Sequence, residues 1–222
     1  MLTLGIDDAG RGPVIGPMVL AGCLLDKKVE ANLKKLGVKD SKQLTTKRRE
    51  ILVNIIKEQA ETFEMIVIPP RIIDGKSGES RIKLNELEAK AAAEIINRIN
   101  KGFSKIKVII DCPSTSIVKW TEYLKTKIKD LSTLEISCEH KADKNHISVS
   151  AASIIAKSVR EKEMTKLRKK YGEEIGSGYT SDPLTQKFLE KYAQKYEHEG
   201  IFRKTWVTWK KANGSLVQRK LI

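Results

Sequence analysis

Histidine and cysteine are scarce in this chain, and their spacing excludes more than their number does. His140, His146 and His198 contain no i, i+4 pair. Cys23, Cys112 and Cys138 are odd in number, widely separated and set among apolar neighbours, with no CxxC. That pattern excludes a zinc enzyme and a disulfide framework, and fits buried thiols in a cytoplasmic protein. No apolar run reaches 18 residues and no cationic leader precedes an apolar stretch, so a chain that neither spans a membrane nor is exported is expected. Internal repeats and low-complexity tracts are also missing. Acids are in deficit: 28 Asp and Glu stand against 42 Lys and Arg, a formal charge of +14. The excess either favours a polyanionic partner through counterion release or is a solvated basic surface.

What the chain does have is concentrated near its start. Asp7-Asp8-Ala9-Gly10-Arg11-Gly12 follows the apolar positions Leu2, Leu4 and Ile6. Successive side chains of a strand point to opposite faces, so the two carboxylates share a site only where the strand ends or bends. Gly10 and Gly12 allow close approach of a ligand to the backbone, and Arg11 places a fixed cation between them. Carboxylates for a hard cation beside glycines and an arginine suited to phosphate point to metal-assisted phosphoryl chemistry. A plain Asp-Gly turn after a strand has the same composition.

The periodicities give an ordered series of elements. Strands are expected at Leu2–Asp7, Met18–Leu25, Phe63–Ile68, Ile106–Asp111 and Thr133–Glu139. Helices are expected from Thr45 or Thr46 to Gln59, from Ile82 to Asn100 with Leu84, Leu87, Ala91 and Ile95 as the buried stripe, and from Asp182-Pro183 to about Tyr196. Strands alternating with helices imply an α/β sheet covered on both faces, with its site outside strand carboxyl ends. Asp7, Asp8 and Asp111 fall at such ends, and Asp143 just past one. Three or four carboxylates so placed could hold two Mg²⁺ ions about 3.5–4 Å apart. Tyr171–Pro183, rich in Gly and Ser, separates the last long helix from a helical tail. The expected division is therefore a catalytic domain over 1–172 and a C-terminal helical extension over 173–222 packed on the core.

Several longer stretches resemble the ribonuclease HII (type 2 ribonuclease H) family, in its archaeal form. They are Gly5 through Pro17, Lys39-Asp40-Ser41-Lys42-Gln43-Leu44-Thr45, His140-Lys141-Ala142-Asp143, Val149 through Lys157, and Gly176-Ser177-Gly178-Tyr179-Thr180-Ser181-Asp182-Pro183. They run in the family's order to near residue 209. The resemblance implies a ribonuclease H-like mixed sheet flanked by helices, with a small C-terminal helical extension. It implies an endonuclease that hydrolyses the RNA strand of RNA/DNA hybrids and cuts 5′ to single ribonucleotides in duplex DNA, leaving 3′-hydroxyl and 5′-phosphate ends. A place in ribonucleotide excision repair and DNA replication goes with that activity.

The family's acids map onto Asp7, Asp8, Asp111 and Asp143, holding two ions, Mg²⁺ or Mn²⁺, with Asp7 bridging. Gly10, Arg11, Gly12 and Tyr179 map onto the recognition of the ribose 2′-hydroxyl and its neighbouring sugar. Lys42 maps onto a phosphate contact, with Ser150 and Ser153 as lesser ones. Where the family has glutamate this chain has Asp8, whose carboxylate stops one C–C bond short, about 1.5 Å. Water-mediated ligation by Asp8, or a preference for Mn²⁺, is the expected consequence. A nucleic-acid role in the tail is expected mainly from Arg203, Lys204, Lys210 and Lys211, with Trp206 and Trp209 anchoring its helix on the core. Some archaeal relatives end in a peptide that binds the sliding clamp. Here Gln218 and the following aliphatics match it and the aromatic pair is missing, so at most a weak clamp contact is expected. A monomer is the simplest expectation.

Overall fold

Strand β1 (Leu2–Ala9) is paired on both sides. β2 (Met18–Leu25) runs antiparallel to it, with Asp8 opposite Leu20, and β4 (Ile106–Asp111) runs parallel, with Ile6 opposite Ile110. β5 (Leu134–Glu139) continues parallel to β4, and β3 (Thr62–Ile68) lies beyond β2, giving the order β3-β2-β1-β4-β5. This computed structural model describes residues 1–38, 44–75, 83–103 and 105–214. β2 is buried at every position. A strand covered on both faces reads as a continuous apolar run, which is why its sequence shows no alternation.

The helices are α1 (Lys27–Lys35), α2 (Thr46–Gln59), α3 (Pro70–Asp74), α4 (Leu84–Ile99), α5 (Ile117–Lys125), α6 (Ala142–Asn145), α7 (Ile147–Tyr171), α8 (Pro183–Tyr192) and α9 (Val207–Ala212). The Thr45 hydroxyl caps α2 by accepting from the Arg48 amide, and Asp182 caps α8 by accepting from Leu184. α8 stops at Tyr192, four residues short of the expected end. α1 and α5 were not among the expected helices, although Ile117, Trp120 and Leu124 of α5 stand at helical spacing; each helix buries little, Leu33 alone in α1 and Trp120 and Leu124 in α5.

The chain gathers into two compact units that interleave in sequence. Met1–Ala9, Val19–Ile66 and Ile82–Val159 form the first, and Gly10–Met18, Val67–Arg81 and Arg160–Ile222 form the second. In the first unit β1 is pressed against the start of α7. A Cβ placed on Gly5 would lie 2.1 Å from the carbonyl carbon of Ser148, so only glycine fits where that helix crosses the strand. Val19, Ala21, Leu52, Ile56, Ala152 and Ile155 belong to the core beside it. The second unit gathers most of the chain's few aromatic residues. Phe188 packs on Tyr192 at 5.0 Å and Tyr196 at 6.0 Å between ring centres, and Val14, Ile15, Phe202 and Trp209 complete that core. No described helix is long and apolar enough to cross a membrane.

Candidate active site

Parallel register places two acids level with each other. Asp7 follows Ile6 on β1 and Asp111 follows Ile110 on β4, each one residue past a paired position. Asp7 is buried, and its Oδ1 accepts from the Asp8 amide at 2.8 Å. Ser153 on α7 also hydrogen-bonds to the Asp7 carboxylate. Burial, then the charge of Asp8, then that of Asp111 push the Asp7 carboxyl well above its ordinary value, and the bonds from Ser153 and the Asp8 amide offset only part of this. Asp8 and Asp111 therefore both act electrostatically on Asp7.

β1 does not end at Asp7 as expected but continues through Ala9. Asp7 and Asp8 therefore stand as consecutive residues within the strand. Both still edge a small pocket with Asp111, Leu20, Glu88 and Trp120. Glu88 is 1% exposed on α4 and was missed by the sequence reading. Its signal was present: it stands four residues after Leu84 and three before Ala91, inside the apolar stripe, where a charged residue is out of pattern.

Asp111 connects to the fourth acid through the backbone. Its Oδ1 accepts from the Ala142 amide at 3.2 Å, at the first residue of α6, and the next residue is the buried Asp143. The turn into α6 is made by Lys141 in the left-handed conformation, φ 59°. His146 Nε2 lies 3.0 Å from Glu139 Oε2, and that bond is the main cause holding the Glu139 carboxyl below its ordinary value. Among the described residues no three acidic, histidine or cysteine side chains are already drawn together as a ligand set. The donor chemistry nevertheless suits a hard divalent ion. All four groups offer carboxylate oxygens, and a cation beside Asp7 would relieve the repulsion that raises its carboxyl.

The remaining candidates divide between the units. Ser150 and Ser153 are both enclosed on α7, at 1% and 0% exposure, so their hydroxyls sit within the first unit rather than on its surface, that of Ser153 against Asp7. Lys42 lies outside the described residues, as do Gln218 and the residues that follow it. Gly10, Arg11, Gly12 and Tyr179 belong to the second unit. Gly10 has φ +82°, and a Cβ there would meet Arg160 Nε at 2.3 Å. Gly12 differs: it is exposed, its φ is ordinary, and nothing stands within 4 Å of where a Cβ would go. The fold itself sets no requirement for glycine at that position. Tyr179 is 41% exposed, with the Arg160 guanidinium 4.9 Å from its ring centre, and Arg160 Nη2 donates to the Ser177 carbonyl at 3.0 Å.

Arg203 corrects the sequence reading. It was expected to present a surface cation to nucleic acid, and it is fully buried. Its guanidinium donates to the carbonyls of Gly10, Arg11 and Gly16, and Trp206 Nε1 donates to that of Gly12. The setting Ile201-Phe202-Arg203, an arginine directly after two large apolar residues, was the available signal.

Comparison with known proteins agrees with this architecture. The family model described as "Ribonuclease HII" matches residues 4–209. The chain belongs to the ribonuclease HII family. Ribonuclease HII of Thermococcus onnurineus is 42% identical over 222 residues, covering 98% of this chain and 92% of the relative. The crystal structure of ribonuclease H2 from Pyrococcus horikoshii superposes with a TM-score of 0.85 at 38% identity, covering 97% of this chain and 98% of that one. A ribonuclease HII from Archaeoglobus fulgidus, solved in complex with PCNA, gives a TM-score of 0.80 at 34% identity, covering 100% and 98%. Bst-RNase HIII in complex with Mn²⁺ gives 0.76 at 25% identity, covering 99% of this chain and 71% of that one. The protein is accordingly a ribonuclease H of archaeal type, with the mixed sheet of that fold, and an endonuclease of RNA/DNA hybrids.

Proposed function

We propose that this ribonuclease HII family member cuts 5′ to single ribonucleotides embedded in duplex DNA as well as within RNA tracts, using two divalent ions. The observation that carries the reading is that Asp7, Asp8 and Asp111 edge one pocket, with the charges of Asp8 and Asp111 both raising the Asp7 carboxyl. Asp7 would bridge the ions, and Asp8, Asp111 and Asp143 would complete their coordination. When bound, divalent ions activate the attacking water and stabilise the leaving 3′-oxygen. Asp7 is held for this role by Ser153 and by the Asp8 amide, and Asp111 by the Ala142 amide.

Recognition falls to the second unit. The Arg11 and Gly12 amides would meet the ribose 2′-hydroxyl, and the exposed ring of Tyr179 would lie against the adjoining deoxyribose. The openness around Gly12 supports this, since a glycine that the fold does not need suits close approach of a ligand. A phosphate contact by Lys42 and a weak clamp contact through the C-terminus belong to the same reading, which the PCNA complex of the Archaeoglobus fulgidus relative supports.

A DNA duplex carrying one ribonucleotide, incubated with Mg²⁺ or Mn²⁺ beside an all-DNA control, tests it. The expected result is a single cut 5′ to the ribonucleotide, abolished by Asp7→Asn. Cleavage of RNA tracts alone would remove the junction reading and leave the hybrid nuclease. Retained binding without cleavage in either metal would overturn the two-ion site.

A further inference from the structure

The loop that runs from Gly10 to Gly16 turns its carbonyls inward, and two side chains from one later segment take them. Arg203 Nη2 donates to Gly10 O at 2.6 Å and Gly16 O at 3.0 Å, Nη1 to Arg11 O at 2.7 Å, and Nε to Gly16 O at 3.1 Å. Trp206 Nε1 donates to Gly12 O at 3.1 Å, and the Arg203 amide donates to Val14 O at 2.9 Å. The Arg203 guanidinium also lies 5.2 Å from the Trp206 ring centre, so the two side chains brace each other.

Peptide geometry converts this inward capture into an outward projection. No peptide described here is cis, and in a trans peptide the N–H points opposite to the C=O of the same unit. The captured carbonyls of Gly12 and Gly16 precede Pro13 and Pro17, which have no N–H. The captured carbonyls of Gly10 and Arg11 share their peptides with the amides of Arg11 and Gly12. Those two consecutive N–H groups are therefore directed away from Arg203. Consecutive amides turned the same way make a concave pair suited to a single oxygen.

We infer that Arg203, braced by Trp206, is the positioning residue that sets the discrimination between ribonucleotide and deoxyribonucleotide. It does so by fixing the direction of the Arg11 and Gly12 amides. The inference rests on the reading that this loop meets the 2′-hydroxyl. Lysine cannot replace arginine here, because one ammonium lacks the rigid fork that spans three carbonyls.

The test is the ratio of affinities for a duplex with one ribonucleotide and the same duplex in DNA alone, measured in EDTA so that neither strand is cut. A ratio taken on one preparation is insensitive to its inactive fraction. Wild-type protein is expected to prefer the ribonucleotide duplex. Arg203→Lys is expected to reduce that preference about tenfold, the scale of losing a charge-assisted hydrogen bond. Trp206→Phe, which keeps an aromatic ring in this place and removes the indole N–H together with the pyrrole part of the ring, is expected to reduce it a few-fold, about the scale of one neutral bond. If Arg203→Lys does not fold, Trp206→Phe decides alone. An unchanged ratio in the folded variants, or an equal loss of affinity for both duplexes, overturns the inference while the 2′-hydroxyl reading stands. A wild-type protein without preference overturns both.

Discussion

Asp7 and Asp8 are neighbours in sequence with separate physical fates. Asp7 is protonated more readily in the folded chain than in the unfolded one, whose value is near 3.8. Folded protein then binds more protons between that value and the raised one, so without metal its stability falls as pH rises through this window. Asp7→Asn removes the penalty. In EDTA near pH 7 it should raise Tm by a few degrees, the scale of about 1 kcal/mol in a chain of this size. The gain should vanish below about pH 4, where wild-type Asp7 is protonated in both states. Adding Mg²⁺ or Mn²⁺ should then raise the Tm of wild-type protein and leave that of Asp7→Asn unmoved, by mass action on the folded state. Asp8 is a question of reach. Restoring the missing methylene with Asp8→Glu should raise the Mg²⁺-supported rate relative to the Mn²⁺-supported one, and an unchanged ratio of rates would show that the shorter side chain costs nothing. Both acids could be picked out from sequence because charge at the end of an apolar run is conspicuous. Glu88 was hidden because a charge inside a helical stripe is conspicuous only once the stripe is known to be covered.

At the level of elements, the strands were the legible part. Apolar runs bounded by Gly-Pro or Pro-Pro leave little choice, and all five lie close to where the periodicity puts them. The helices that escaped are short or bury one or two side chains, so that capping by Asp26 is the main local instruction for α1. The small residues Ser148, Ser150, Ala151, Ala152 and Ser153 let α7 pack closely on the sheet. The tightest point of that contact is on the other partner, at Gly5, whose Cα faces helix backbone. Backbone cannot swing aside as a side chain can. Gly5→Ala should therefore cost about 3 kcal/mol or more by overpacking, read as a lowered denaturant midpoint, and should disturb Asp7 two residues on. Gly12→Ala is the contrasting case. Open space at that position predicts a stability change within about 0.5 kcal/mol, so that any loss of ribonucleotide preference would report on the ligand and not on the fold.

For the molecule as a whole, the charge of +14 makes a prediction that no single residue makes. Affinity for duplex should fall linearly on a logarithmic salt scale, for RNA-containing and all-DNA duplexes alike, by tenfold or more between about 50 and 200 mM salt. A flat response would mean that the basic excess is only a solvated surface. Sequence could supply that total and not its distribution, and Arg203 shows why. One of the cations counted toward a nucleic-acid surface is spent inside, on backbone carbonyls. Its partners lie 187 to 193 residues earlier in the chain. A ribosome adding roughly 5–20 residues per second would release Arg203 some 10–40 s after Gly10. Once Asp143 has been added all four acids are made, while the loop near the start still lacks the Arg203 that holds its peptides in line. On the inference drawn above, the part of the molecule that tells one sugar from the other is thus the last to be completed.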